Sequence, residues 1–147
     1  MSLPKPEVGL VIRYSYLWHA EHLQGREEGV KDRPCAIVVA VANRIEVGRD
    51  RVWVLPVTHS APVDADGAIE IPAVVKNRLG LDGARSWIIL TEWNEFLWPG
   101  PDLRRASGQA AASVAYGYLP PNYGNHVRAQ FAALVRARKA QRVARGE

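Results

Sequence analysis

The chain is short of cysteine and of long apolar runs. Cys35 is the single cysteine among 147 residues, which excludes an internal disulfide. Its apolar neighbours mark it as a small buried hydrophobe rather than a nucleophile. The longest uncharged apolar run covers residues 35–42, far short of the roughly 20 residues that cross a bilayer. The opening Met-Ser-Leu-Pro-Lys-Pro-Glu has no apolar stretch of the kind a secretory leader carries. A cytoplasmic location with no membrane association is therefore expected. No internal repeat and no low-complexity segment occur.

An apolar fraction of 48% with 23% charged residues excludes disordered and fibrous classes. The length fits one domain over residues 1–147, enough to bury about two thirds of the surface of the unfolded chain. The net charge of +4 raises the question of an anionic partner. Its distribution is uneven. From His126 onward the basic residues are Arg128, Arg136, Arg138, Lys139, Arg142 and Arg145 against Glu147 alone, leaving 13 basic and 14 acidic residues upstream. The basicity belongs to the C-terminal segment, as a solvated helix face or as a phosphate-tracking one.

The most organised stretch is Lys31-Asp32-Arg33-Pro34 leading into residues 35–42. An apolar, centrally β-branched run entered through proline reads as a strand buried on both faces. It sets the permanent cation Arg33 at the mouth of the core. Residues 8–14 form an earlier short strand, placed near a sheet edge. Residues 17–30 between the two are a polar loop with one helical turn. Residues 51–57 form the next strand, ending in Thr58-His59-Ser60. An antiparallel hairpin closed on Val41 and Asp50 pairs residues at a constant index sum of 91, which Arg33 and Thr58 share. Cation and hydroxyl meet across the hairpin.

Downstream, residues 68–71 form a short strand and residues 72–79 a two-turn helix with proline in its first turn and Gly80 just past its end. Residues 86–93 form a strand running on toward Trp98, residues 104–112 a loop, and residues 114–119 a last short strand. Pro120-Pro121-Asn122 prepares a helix whose apolar stripe is Val127, Phe131, Leu134 and Val135, with Arg128, Arg136 and Lys139 off the stripe. The pattern describes a mainly β fold, a strongly bent antiparallel sheet or barrel with a C-terminal α-helix packed on it.

At Arg33-Pro34 with its apolar strand, followed by Leu55-Pro56-Val57-Thr58-His59-Ser60, the sequence resembles the PemK/MazF family of toxins from bacterial toxin–antitoxin systems. Gly9-Leu10-Val11-Ile12-Arg13-Tyr14 matches the family's Gly-led first strand. A weaker similarity runs through Ile71-Pro72, Leu79-Gly80-Leu81, residues 86–92 and the terminal helix. The resemblance implies an SH3-like barrel of the PemK/MazF type, with a short inserted helix and a C-terminal α-helix. It further implies a homodimer, a cognate antitoxin, and endoribonuclease cleavage of single-stranded messenger RNA without metal or cofactor. It carries the family's catalytic arginine to Arg33, the catalytic threonine to Thr58 and a loop acid to the vicinity of Glu28. The loop over residues 17–30 is longer than in the best-known members, and His59 replaces another polar residue. The alternative is a non-catalytic member of the same fold that binds RNA or protein.

Cutting RNA through its own 2′-hydroxyl requires deprotonation of that hydroxyl, stabilisation of the phosphorane and protonation of the leaving 5′-oxygen. Arg33 suits the second task, because its planar fork holds two phosphoryl oxygens and stays charged. The competing role for Arg33 is a salt bridge to Glu28 or Asp32, and for Thr58 a turn cap. His59 titrates near neutrality and is either the proton carrier here or a solvent-facing turn histidine, with strand alternation turning it from the face of Thr58. In the loop, Trp18 is available to stack on a base, with Arg26 and Lys31 as RNA-binding cations and Ser60 as a hydroxyl contact. His19 and His22 beside Glu21 read as surface groups rather than a metal site. Trp53, Trp87 and Trp93 read as core or dimer interface.

Overall fold

Strands whose neighbouring residues are all apolar need a core on each side, and this chain builds two. In the computed structural model, residues 3–27, 29, 31–43, 45, 48–106 and 113–146 are described. They run β1 (Leu10–Tyr14), α1 (His19–Leu23), β2 (Arg33–Val41), β3 (Arg51–Thr58), a 3-10 turn (Ala65–Gly67), β4 (Ala68–Glu70) and α2 (Ala73–Arg78). Then follow β5 (Trp87–Ile89), β6 (Glu92–Leu97), β7 (Leu103–Arg104), β8 (Ala115–Tyr118), α3 (Pro121–Arg136) and β9 (Gln141–Ala144). The architecture is mainly β, one sheet that does not close, with a C-terminal helix on one face. Among the described residues no helix is long and apolar enough to cross a membrane.

Alternation divides the side chains between the cores. Ala36, Val38, Leu55 and Val57 join the cluster covered by Val75 of α2, by Leu79 just past its end, and by Val127 and Phe131 of α3. Cys35, Ile37, Val52 and Val54 join Ile12, Tyr14 and Phe96 on the other face. Burial on both faces is thus real over Cys35–Val38, whereas Val41 at the far end of β2 is exposed. Cys35 is fully buried, and burial holds its thiol far above the ordinary range, so it acts as a hydrophobe. Trp53 stacks on Trp93 at 4.5 Å between centroids, and Phe131 meets Trp93 edge-on at 5.5 Å, which seats α3 on the sheet.

The hairpin register departs from expectation at its tip and returns to it at its base. Val41 pairs with Arg51, Ala40 with Val52 and Val39 with Trp53, one residue away from a closure on Asp50. A bulge at Val38 absorbs the extra residue, after which Ile37 pairs with Val54, Ala36 with Leu55 and Cys35 with Pro56. Those last pairs carry the index sum of 91; the ladder ends at Cys35–Pro56, and Arg33 reaches the end of β3 through its bond to Val57 O.

β1 lies one strand in from the sheet edge, as expected: it pairs with β2 on one side and with β8 and then the outermost β7 on the other. Its periodicity shows burial on both faces but not which later segments pair with it. Two expectations are corrected. Residues 86–93 are split between β5 and β6. β3 divides its partners accordingly, Arg51–Val54 binding β6 and Val57–Thr58 binding β5. The segment after α3 is not further helix. Arg138 takes a φ of 58°, Arg138 N donates to Val135 O and Lys139 N to Leu134 O, a Schellman closure without glycine. The chain then lays β9 parallel to β6.

This ending changes the meaning of the basic tail. Arg142 approaches Glu95 at 3.7 Å, and Arg145 is 93% withdrawn from solvent, exposed by only 7%. Its Nη1 donates to Ser15 O at 2.7 Å and to Asn94 Oδ1 at 2.9 Å, while Nη2 lies 3.1 Å from Asp102 Oδ2. Asn94 in turn accepts from Leu17 N and donates to Leu17 O. Two of the six basic residues, Arg128 and Arg136, remain on α3.

Candidate functional site

β2 and β3 end together at a cleft of about 920 Å³ whose wall includes Arg33, Thr58, His59 and Ser60. Arg13, Lys31, Arg33 and Lys76 supply four permanent cations to its lining, and Asp32, Asp82 and Glu92 three acids. Asp32 is drawn off toward Arg104 Nε at 3.6 Å, so it does not neutralise Arg33.

Arg33 is held in two ways that leave its charge usable. Its Nη1 donates to Val57 O at 3.2 Å, and its guanidinium carbon stands 4.9 Å from the centre of the Trp18 ring. Nε is buried and has no hydrogen-bond partner among the described residues. An arginine whose donors are not all satisfied is a ready anion site, because each unmatched N–H carries a desolvation cost that an oxyanion relieves. Trp18 is placed by Asn94, whose side chain bonds both backbone groups of the preceding Leu17. Tyr16 and Trp18 also meet edge-on at 5.2 Å.

Thr58 ends β3 and pairs with Trp87 of β5. Its Oγ1 accepts from Ser60 N at 3.2 Å, so the hydroxyl caps the turn while its own hydrogen stays available. His59 lines the same cleft while exposed to solvent, a position that suits both a proton carrier and a turn histidine. The strand stops at Thr58, and the bend that follows ends the strand alternation. His59 Nε2 lies 2.9 Å from Asp82 Oδ2.

Asp82 is anchored in turn by Lys76, a lysine of α2 buried beside Val75. Lys76 Nζ donates to Asp82 Oδ1 and Ser86 Oγ, each at 2.7 Å, and to Ala84 O. The Lys76 hydrogen bond holds the Asp82 carboxyl below its usual range, against a smaller opposing effect of desolvation. An ionised carboxylate only accepts hydrogen bonds. In the His59–Asp82 contact the ring nitrogen Nε2 is therefore the donor and the carboxylate the acceptor.

A second carboxyl completes the wall. Glu92 Oε1 accepts from Tyr16 Oη at 3.1 Å and from His19 N at 2.9 Å. Burial, only partly offset by those two hydrogen bonds, lifts its carboxyl above the usual range. Burial likewise pushes the Tyr16 phenol well up, keeping it a donor.

Of the residues anticipated from sequence, Arg33, Thr58, His59, Ser60, Trp18 and Lys31 share this cleft. Arg26 is exposed and stands outside the lining. Glu28 falls outside the described residues. Asp82, Lys76 and Glu92 were not anticipated. Their signal in the sequence is a charged residue inside an apolar pattern: Lys76 follows Val74-Val75, and Glu92 stands between Ile88-Ile89-Leu90 and Trp93. Among the described residues no group of three His, Cys, Asp or Glu side chains comes together to hold a metal ion.

The arrangement offers a fixed cation for an oxyanion, a hydroxyl beside it and two titratable groups at the same opening. Comparison of the chain with family models, curated proteins and solved structures gives no match.

Proposed function

We propose that this chain is a toxin of a toxin–antitoxin system, an endoribonuclease that cuts single-stranded messenger RNA through the ribose 2′-hydroxyl. The observation that supports it best is the meeting of Arg33 and Thr58 in one cleft, with Arg33 Nε buried and unmatched among the described residues. In this reading Arg33 neutralises the phosphorane, Thr58 donates to a phosphoryl oxygen, and His59, oriented by Asp82, carries a proton. Trp18 and Lys31 hold the RNA on either side of Arg33 by stacking and by charge, and Ser60 adds a hydroxyl contact. The family resemblance adds an SH3-like barrel, a homodimer, a cognate antitoxin and a cytoplasmic setting.

The alternative, a non-catalytic RNA- or protein-binding module, draws on the Thr58 hydroxyl being engaged by Ser60 N. One experiment separates the two. Purified protein is incubated with a long single-stranded RNA of mixed sequence in EDTA, beside Arg33→Ala and Thr58→Ala. The nuclease reading expects cleavage by the wild type that persists in EDTA and is lost in both variants. RNA retained uncut favours the binding module, and variants that cut like wild type overturn the assignment.

A further inference from the structure

Resting on the nuclease reading, we propose that the exposed basic corner where α3 turns into β9, formed by Arg136, Arg138 and Lys139, is a second RNA-binding surface that holds the phosphates of the strand leaving the cleft. All three residues are exposed, and among the described residues their side chains make no hydrogen bond or ion pair. No acidic residue occurs between Asp102 and Glu147 to neutralise them. The exposed side chains earlier on α3 are mostly uncharged, Asn122, Asn125, Ala129, Gln130 and Ala133 among them. Charge is thus gathered at the corner rather than spread along the helix.

Arg138 marks this corner as more than a solvated face. The helix dipole favours a cation in the last turn, which accounts for Arg136. It does not account for Arg138, which holds a φ of 58° where helices commonly end in glycine. Backbone strain is kept there although the side chain gains no polar partner among the described residues, and strain kept in this way points to a task outside the fold.

The corner also adjoins the cleft. Gln141 N donates to Thr91 O at 2.9 Å, and Gln141 pairs with Glu92. Thr91 and Glu92 both line the cleft. The three residues of chain from Arg138 to Gln141 span about 11 Å at most. A strand whose scissile phosphate lies on Arg33 therefore has a second group of cations close to the cleft lining. The surroundings fit a polyanion better than a protein segment. Protein interfaces depend on buried apolar anchors, and among the described residues of α3 and β9 no large apolar side chain is exposed. Phosphate binding needs no such anchor, because each neutralised phosphate releases a counterion.

The test compares the full wild-type chain with the triple variant Arg136→Gln/Arg138→Gly/Lys139→Gln. Binding is read by fluorescence anisotropy on 2′-O-methyl RNA, which lacks the attacking hydroxyl and stays intact, as a strand of about 24 nucleotides and one of about 6. The wild type is expected to bind the long strand more tightly. On that strand the triple variant is expected to show a slope of log Kd against log salt shallower by about 2, three cations at about 0.7 each. Over a fourfold rise in salt that difference amounts to about 20-fold in affinity. With cleavable RNA of the same two lengths, the ratio of kcat/KM on long over short substrate falls in the triple variant. Arg138→Gly alone is expected to give about a third of the slope change with an unfolding temperature no lower than wild type, so that loss of fold does not explain it. A wild-type slope in the triple variant, or an equal loss on both lengths, overturns the proposal while leaving the nuclease reading intact. A triple variant that keeps its RNA binding but loses binding of a polyglutamate peptide also overturns it, assigning the corner to an acidic protein segment. A wild type that cuts no RNA, beside a triple variant that still shows the shallower slope, overturns the nuclease reading and supports the RNA-binding surface.

Discussion

Arg145 Nη1 donates to Asn94 Oδ1 at 2.9 Å, and Asn94 uses the same oxygen to accept from Leu17 N. The C-terminal strand thereby reaches, through one amide, the backbone that carries Trp18 onto Arg33. The site is supported from the end of the chain farthest from it in sequence.

Truncating this support has a large expected cost. Arg145→Ala leaves Asp102 without its 3.1 Å cationic contact and removes a donor from Asn94. Breaking a buried ion pair from one side costs about 3–5 kcal/mol. Urea unfolding of Arg145→Ala is expected to show a loss in that range, whereas Arg136→Ala, an exposed change on α3, is expected to stay within about 0.5 kcal/mol of wild type.

The end of α3 carries a correctable strain. Arg138 holds a φ of 58°, a left-handed conformation that costs a side-chain-bearing residue about 1 kcal/mol and glycine almost nothing. Arg138→Gly is expected to gain about 0.5–1 kcal/mol in unfolding free energy, because part of that relief is offset by the greater freedom of glycine in the unfolded chain. Thermal unfolding against wild type checks it.

Glu92 gives stability a definite pH dependence. Its folded carboxyl titrates above its unfolded value, so the folded state holds the proton more tightly. That contribution is fully present below the ordinary glutamate value of about 4.3 and is lost as pH rises through the folded value. The wild type is therefore expected to lose stability relative to Glu92→Gln on going from pH 4 to pH 7. Urea unfolding of both proteins at several pH values reads the difference directly. A gap that widens in favour of wild type as pH rises would contradict it.

His59 and Asp82 are expected to act as one unit. If Asp82 works by orienting His59, removing both costs no more cleavage than removing His59 alone. The rates of His59→Ala, Asp82→Ala and the double variant form the cycle. Losses that multiply in the double variant would assign Asp82 a role apart from His59.

Local patterns were legible where one short segment decides the outcome. The apolar run at residues 35–42, the proline entries and the stripe Val127, Phe131, Leu134, Val135 specified a two-sided strand and a packed helix, because side-chain period reports burial directly. Hairpin arithmetic reached the register at the base of β2 although the closure it assumed on Asp50 is off by one, because the bulge at Val38 restores the sum of 91. The helix end at Arg138 was not legible, since a left-handed cap without glycine leaves no mark in composition.

What only the tertiary structure decided is which distant segments meet. Arg145 reads as one more tail cation, yet pairing of β9 with β6 buries it beside Asn94 and Asp102. Which segments flank β1 on its outer side is likewise undecided until β7 and β8 return to pair with it. Glu92 acquires its chemistry from Tyr16 and His19, contacts made by the folding of the sheet rather than by spacing along the chain, whereas Asp82 is held by Lys76 only six residues before it. The sequence alone determined β2, β3 and the apolar stripe of α3, because neighbouring residues specify them. The long-range pairings that lift Glu92 and bury Arg145 were settled only when the sheet assembled.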